Sequence, residues 1–119
     1  MGQPGLKILE KAEDMIEYAY IALKNYPKSE KYTLAADTRR SLWRLVALIL
    51  KANRARNKMP ILVEIDAELD LLRTLIRMGH RLKFLPFKKY RILSEKLAEL
   101  GKMLGGWMKY ARNSRGGAA

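Results

Sequence analysis

The stretch from Tyr90 to Tyr110, YRILSEKLAELGKMLGGWMKY, constrains the fold more than any other part of the chain. Its apolar residues recur at spacings of 3, 4, 3, 4 and 3, and they are Tyr90, Leu93, Leu97, Leu100, Leu104 and Trp107. These spacings place the side chains on one face of an α-helix, whereas a strand would alternate its faces at every residue. The pattern therefore predicts a helix that packs one face into a hydrophobic core.

Glycines near the end of this stretch need an explanation, because a glycine inside a helix costs about 1 kcal/mol relative to alanine. One explanation is a helix that stops at Gly105, where the C-cap favours positive φ. The other is the close approach of a neighbouring helix, in the same chain or in another subunit, to a stripe without side chains. The amphipathic pattern continues to Tyr110 and favours the second explanation. The residues predicted to form this oligomer contact are Ala98, Gly101, Gly105 and Trp107.

Helical periodicity is also present in three earlier segments, from Leu6 to about Asn25, from Leu34 to about Arg56 and from Ile61 to about Lys83. Pro27 ends the first segment, because the residue before a proline is pushed out of the α region. Pro60 suits the first turn of the third helix. The residues predicted to face inward are Ile8, Ala12, Met15, Ala19, Ala22, Tyr26, Thr38, Leu42, Leu45, Ile49, Ala52, Leu62, Ile65, Leu69, Leu72 and Ile76.

The four amphipathic segments are each about 20 residues long, which corresponds to rods of about 30 Å joined by short connections. They predict an all-α fold, an antiparallel up-down-up-down four-helix bundle. We expect a single domain over residues 1–119, with flexible ends at 1–5 and 113–119. Val46, Leu48 and Leu50 widen the apolar face of the second helix, which indicates either a deeply buried helix or a second partner.

Charge is the most informative bulk property. The chain has 24 Lys and Arg against 12 Asp and Glu, a formal net charge of +12 and a pI near 10.1. In an antiparallel bundle one pole gathers half of the cations with few acidic residues, and we call it the basic pole. Its residues are Lys24, Lys28, Lys31, Arg39, Arg40, Arg44, Arg77, Arg81, Lys83, Lys88, Lys89 and Arg91. The opposite pole mixes acidic and basic residues, so the surface is strongly asymmetric.

The helix dipole explains only part of this asymmetry, because cations are favoured at helix C-termini and disfavoured at N-termini. Arg39, Arg40, Lys88 and Lys89 lie near predicted helix starts and oppose the dipole. We therefore predict that the basic pole binds the phosphate backbone of a nucleic acid, with affinity that falls steeply with salt. The residues predicted to bind it are Arg39, Arg40, Arg44, Arg73, Arg77, Arg81, Lys83, Lys88, Lys89 and Arg91. Of the nearby aromatic residues, Trp43 and Tyr90 are assigned to the core.

The sequence offers little for catalysis. It has no cysteine and a single histidine, His80, to which we assign a surface or helix-end role. The closely spaced acid pairs are Glu64 with Glu68 and Asp66 with Asp70. A di-iron bundle would need Glu-x-x-His on two helices, so these acids are interpreted as partners of Arg54 and Arg56 or as complements of the dipole. We expect no enzyme activity, no metal and no cofactor.

The longest apolar run, Leu45 to Leu50, is too short to cross a bilayer, for which about 20 residues are needed. Lys7, Glu10 and Lys11 interrupt any apolar signal segment near the start. The sequence therefore predicts no membrane association and a cytoplasmic location.

Three segments carry a resemblance to a known family. They are YPKSEKYTLAADTRRS (residues 26–41), ILKANRA (49–55) and especially ELGKMLGGWMK (99–109). Together they resemble the four-helix-bundle family of Avd, the accessory variability determinants of diversity-generating retroelements. The same family includes proteins encoded by intervening sequences in bacterial 23S ribosomal RNA genes. The similarity extends from about Leu6 to Tyr110.

The resemblance implies a basic homopentameric barrel of bundles that binds a reverse transcriptase and its template RNA and supports mutagenic cDNA synthesis without catalysing it. The expected partners are thus a reverse transcriptase, RNA (or DNA or an RNA/DNA hybrid) and further copies of the chain. The alternative implied by the same family is a structural or assembly protein of the ribosomal RNA insertion type, with no reverse transcriptase partner. A third hypothesis is that the positive charge makes the protein a helical adaptor that binds an acidic protein surface.

Overall fold

The computed structural model describes residues 4–118, with side chains up to residue 114. This part of the chain contains four α-helices, a short 3-10 turn at Lys28–Glu30 and no strand. The helices are α1 (Pro4–Leu23), α2 (Leu34–Arg54), α3 (Met59–Arg81) and α4 (Phe87–Ala118). The predicted all-helical class is confirmed, and each predicted helix exists, with the largest departure from its expected bounds at the end of α4.

The helices pack in a square. Each helix contacts the helices before and after it, and α1 also contacts α4, so that the bundle measures 53 × 23 × 20 Å. Short connections of this kind join antiparallel neighbours. The end of α1 and the start of α2 therefore lie at the same pole as the end of α3 and the start of α4.

The core consists of the inward stripes of the four helices. Every inward-facing residue predicted for α1, α2 and α3 is buried, and so are Leu93, Leu97, Leu100, Leu104 and Trp107 of α4. Tyr90 is half-buried and packs against this core. The 3.6-residue period alone was enough to place these side chains, because each helix buries only one apolar face in the core of the bundle.

The first and last helices extend beyond the bounds that the periodicity indicated. α1 begins at Pro4, and Gly5 is buried where α1 meets α2 and α4. A Cβ on Gly5 would lie 1.6 Å from Oδ1 of Asn53 and 2.9 Å from the Trp107 ring, so this glycine permits a close contact. At the other end, α4 passes through Gly105 and continues to Ala118, so the segment predicted to be a flexible end from residue 113 is helical that far. Residues 1–3 and 119 lie outside the described residues.

None of the four helices described within residues 4–118 combines the length and the hydropathy of a bilayer-spanning segment.

Candidate nucleic-acid interface

The basic pole is held together by a contact between its two connections. The ring of Tyr26, which follows α1, lies 5.7 Å from the ring of Phe84, which follows α3, measured between centroids. Tyr26 is 2% exposed, and its hydroxyl points at Gly79, where an added Cβ would lie only 2.0 Å from the hydroxyl oxygen. Gly79 therefore makes room for Tyr26, and the cations on both connections belong to one surface.

The turn that follows α3 places a lysine where glycine is usually found. Lys83 has φ 69°, in the left-handed region. Its backbone N–H donates to the His80 carbonyl, and the N–H of Phe84 donates to the Gly79 carbonyl. These two bonds form the Schellman motif, which satisfies the last carbonyls of a helix and favours glycine at the left-handed position. The exposed Lys83 thus occupies a strained position and adds a cation to the pole.

Four of the ten predicted nucleic-acid-binding residues pair with carboxylates: Arg40 with Asp37, Arg44 with Glu68, Arg73 with Asp70 and Arg91 with Glu95. Three of these pairs lie within a single helix and are solvent-exposed. Exposed pairs contribute only about 0–1 kcal/mol, so a phosphate can compete for these arginines. Arg44 is held more firmly, because Glu68 is largely buried and also accepts a hydrogen bond from the Ser41 hydroxyl.

The other predicted cations have no carboxylate partner within the described residues. They are Arg39, Arg77, Arg81, Lys83, Lys88 and Lys89. Arg77 makes only a long contact of 3.5 Å from its guanidinium to the Thr74 hydroxyl, and Arg39 donates to the Lys31 carbonyl at 3.0 Å. Arg77, Arg81, Lys83 and Lys88 are exposed, whereas Arg39 and Lys89 are half-buried. The pole therefore keeps a set of cations that can bind phosphates directly.

Aromatic residues at this pole lie closer to the surface than expected. Trp43, predicted to lie in the core, is 52% exposed on α2, and its Nε1–H donates to the Tyr20 hydroxyl on α1 at 2.8 Å. Its position on α2 falls outside the inward stripe, which explains the error. His80 stacks on the half-buried Tyr90 with centroids 4.6 Å apart, and its Nδ1–H donates to the Leu85 carbonyl. This histidine therefore has the helix-end role that the sequence indicated.

The residues predicted to form an oligomer contact are not equivalent. Trp107 is only 2% exposed and packs in the core of its own chain, so its side chain is not on an open surface and that part of the prediction is corrected. Gly101 lies beneath the Arg73 guanidinium, which would be 2.6 Å from an added Cβ. Ala98 and Gly105 are exposed, and a Cβ on Gly105 would meet no described atom within 4 Å. Among the described residues, no neighbouring helix approaches Gly105.

One of the two interpretations of the acid pairs, as partners of Arg54 and Arg56, is wrong for Glu68 and Asp70. Glu68 pairs with Arg44 and Asp70 pairs with Arg73, rather than with Arg54 or Arg56. The first of these pairs depends on the register between two helices, which periodicity does not provide. Among the described residues, no group of three or more histidine, aspartate and glutamate side chains could hold a metal ion.

A cavity beside Arg39 was missed by the sequence reasoning. It measures about 230 Å³ and is lined by Tyr20, Leu23, Lys24, Lys31 and Arg39. Lys24 and Lys31 belong to the basic pole but were not selected as binding residues. The i, i+4 spacing of Tyr20 and Lys24, near the end of the predicted first helix, was the only available signal.

The fold and the site place the chain in the class of basic four-helix bundles, with exposed cations gathered at one pole. A sequence model of the bAvd-like family matches residues 6–111. The chain therefore belongs to the bAvd-like family, the Avd accessory proteins of diversity-generating retroelements, and the resemblance seen in the sequence is confirmed. No curated protein matches the chain.

Proposed function

We propose that this protein is a non-catalytic accessory protein of a diversity-generating retroelement, located in the cytoplasm, that binds template RNA through its basic pole. It associates with the reverse transcriptase and supports mutagenic cDNA synthesis. The observation that carries the RNA-binding proposal is the set of exposed cations without carboxylate partners among the described residues, around the end of α3 and the start of α4. They are Arg77, Arg81, Lys83 and Lys88. The family supports the association with a reverse transcriptase.

Two features argue that these cations serve more than solubility. Lys88 and Lys89 lie in the first turn of α4, where the helix dipole disfavours a positive charge by about 0.3–1 kcal/mol. Lys83 takes a left-handed backbone conformation, which costs a non-glycine residue about 1–2 kcal/mol. Stability alone would favour acids or glycine at these positions. A polyanion that binds here would offset both costs.

We further propose that copies of the chain assemble into a homopentameric ring, as the family resemblance implies. Gly105 and Gly106 support a subunit contact on α4, because both are exposed and a Cβ on either would meet no described atom within 4 Å. Each costs about 1 kcal/mol in a helix with no gain inside the chain. Leu50 of α2, 47% exposed, is an apolar side chain that a second subunit can cover.

Filter binding of RNA across a salt series tests the proposal. The double charge reversal Arg77→Glu with Arg81→Glu should lower RNA affinity and reduce the slope of log affinity against log salt by about 2. The matched control is Lys7→Glu with Lys51→Glu, which makes the same charge change on exposed residues of the opposite pole. Equal losses for the two variants would mean that only net charge matters and would remove the basic pole from the proposal.

The association with a reverse transcriptase is tested by co-purification with the polymerase encoded beside this gene. Retention of the polymerase on tagged wild-type protein supports the retroelement function. A gene neighbourhood that consists of a 23S ribosomal RNA insertion without a reverse transcriptase would instead favour the structural or assembly role found in the same family.

A further inference from the structure

The cavity between the end of α1 and the start of α2 has the composition of a nucleotide-binding site. Its lining residues, Tyr20, Leu23, Lys24, Lys31 and Arg39, include three cations and one aromatic ring. The volume of about 230 Å³ is below the roughly 300–1,000 Å³ of sites that enclose a whole small molecule. It therefore suits one unit of a polymer better than a free ligand.

The cations are arranged to receive a phosphate. Arg39 is half-buried, and its guanidinium donates one bond to the Lys31 carbonyl at 3.0 Å, which holds it against the connection before α2. Its remaining N–H groups are available to an anion, and the planar fork of arginine matches two phosphate oxygens. Lys24 and Lys31 are exposed and make no ion pair within the described residues.

An aromatic pair stands beside this phosphate site. Trp43 Nε1–H donates to the Tyr20 hydroxyl, so the hydrogen bond joins the tryptophan on α2 to a residue that lines the cavity. The Tyr20 hydroxyl accepts this bond and retains its own proton for a further acceptor. Trp43 is 52% exposed and Tyr20 is 40% exposed, and large exposed rings next to cations are the usual elements of single-strand binding.

We propose that this site binds one nucleotide of single-stranded RNA, with the phosphate held by Lys24, Lys31 and Arg39 and the base stacked on Trp43. This inference rests on the proposed RNA binding and specifies unpaired RNA as the form that binds here. A duplex keeps its bases stacked inside the helix and cannot offer one to an aromatic side chain. The site would make unpaired segments of the RNA bind more tightly than paired ones.

The test compares a short oligouridylate with an RNA duplex of the same length. Trp43→Ala should weaken binding of the single strand by about fivefold or more, the lower end of the loss of one stacked base, and leave duplex binding within about twofold. Val63→Ala removes an exposed apolar side chain near the start of α3, at the opposite pole, and is the control that should change neither affinity. Trp43→Phe should restore part of the loss, since it retains a ring.

Fluorescence provides a second readout. Stacking of a base should quench Trp43 emission on addition of oligouridylate, whereas inorganic pyrophosphate should bind the cations with much less quenching. Lys24→Ala with Lys31→Ala should reduce the salt slope of single-strand binding by about 0.7 for each charge removed. The control pair, Lys7→Ala with Lys51→Ala, should reduce it less.

The outcomes separate this site from the proposed function. Failure of the wild-type protein to bind either RNA would overturn both. Binding of RNA that is equally strong for Trp43→Ala and wild type, without quenching by oligouridylate, would overturn the nucleotide site and leave RNA binding by the basic pole in place. Circular dichroism of each variant confirms that the helices remain folded.

Discussion

Replacing Tyr26 with phenylalanine should stabilise the protein, because it removes an unpaired hydroxyl group from a packed site. The Tyr26 hydroxyl is buried and has no hydrogen-bond partner among the described residues. A buried polar group without a partner costs about 1–3 kcal/mol. The small void left beside Gly79 offsets a few tenths of a kcal/mol of that gain, at about 24 cal/mol per Å³. We therefore expect Tyr26→Phe to raise the free energy of unfolding by about 1–2 kcal/mol.

A double-mutant cycle with the neighbouring Gly79 isolates the contact between this glycine and the Tyr26 hydroxyl. Gly79→Ala should gain about 1 kcal/mol from helix propensity, but its Cβ would lie 2.0 Å from the Tyr26 hydroxyl oxygen. Once Tyr26→Phe has removed that oxygen, the nearest atom is the ring carbon that carried it, at 3.0 Å. The alanine should therefore destabilise the wild-type chain and be tolerated much better in the Tyr26→Phe variant. The coupling should exceed about 1 kcal/mol.

Alkaline pH gives an independent check. Burial raises the pKa of the Tyr26 hydroxyl from 10.0 to about 12. Because the folded-state pKa is above the unfolded value, the stability linked to this proton is fully present below pH 10 and is lost as the pH rises towards 12. The loss for a shift of this size is roughly 3 kcal/mol. The Tyr26→Phe protein lacks this loss, so its advantage should widen above pH 10.

Urea denaturation of the four proteins of the cycle, followed by circular dichroism at pH 7 and above pH 10, measures all of these effects. A Tyr26→Phe protein that is less stable than wild type at neutral pH would show that the hydroxyl has a partner. A Gly79→Ala effect that is the same in both backgrounds would refute the close contact between the two residues.

Three further predictions concern other glycines and the strained lysine. Gly105→Ala with Gly106→Ala should stabilise the isolated chain by about 1 kcal/mol each, measured by thermal unfolding at low protein concentration. Gly105→Leu should weaken subunit assembly, measured by light scattering. Unchanged assembly would exclude a subunit contact at Gly105. Lys83→Gly should raise stability by about 1 kcal/mol and lower the salt slope of RNA binding by about 1; a loss of stability would contradict the left-handed assignment. Gly5→Ala should destabilise the bundle by about 1–3 kcal/mol, and Asn53→Ala in the same chain should relieve part of that loss, because Asn53 is the side chain that the new Cβ would strike.

The fold could be predicted from periodicity because each helix of a square bundle covers only one stripe. Leu97, Leu104 and their counterparts on α1 to α3 are buried where the pattern placed them. The helix ends were less accurate. Gly105 and Gly106 permit a stop but do not impose one, and a helix continues where nothing replaces its hydrogen bonds, so α4 extends to Ala118.

The candidate site was predicted less completely, because charge placement depends on neighbours from other helices. The pairing of Arg44 with Glu68 needs the register between α2 and α3, which no spacing within either segment provides. Trp43 was predicted to lie in the core, yet its angle on α2 places it at the surface beside Tyr20. The cluster of cations, by contrast, follows from helix order alone.

The contact between the Tyr26 and Phe84 rings has a consequence for recognition. It joins the two connections that carry Lys24, Lys28, Lys31 and Lys83, so the backbone at these lysines is held at fixed separations before any ligand arrives. A rigid array loses little conformational freedom on association and adapts poorly to a mismatched partner. Selectivity among folded RNAs would then depend on whether the spacing of phosphates along the RNA surface matches the spacing of these charges.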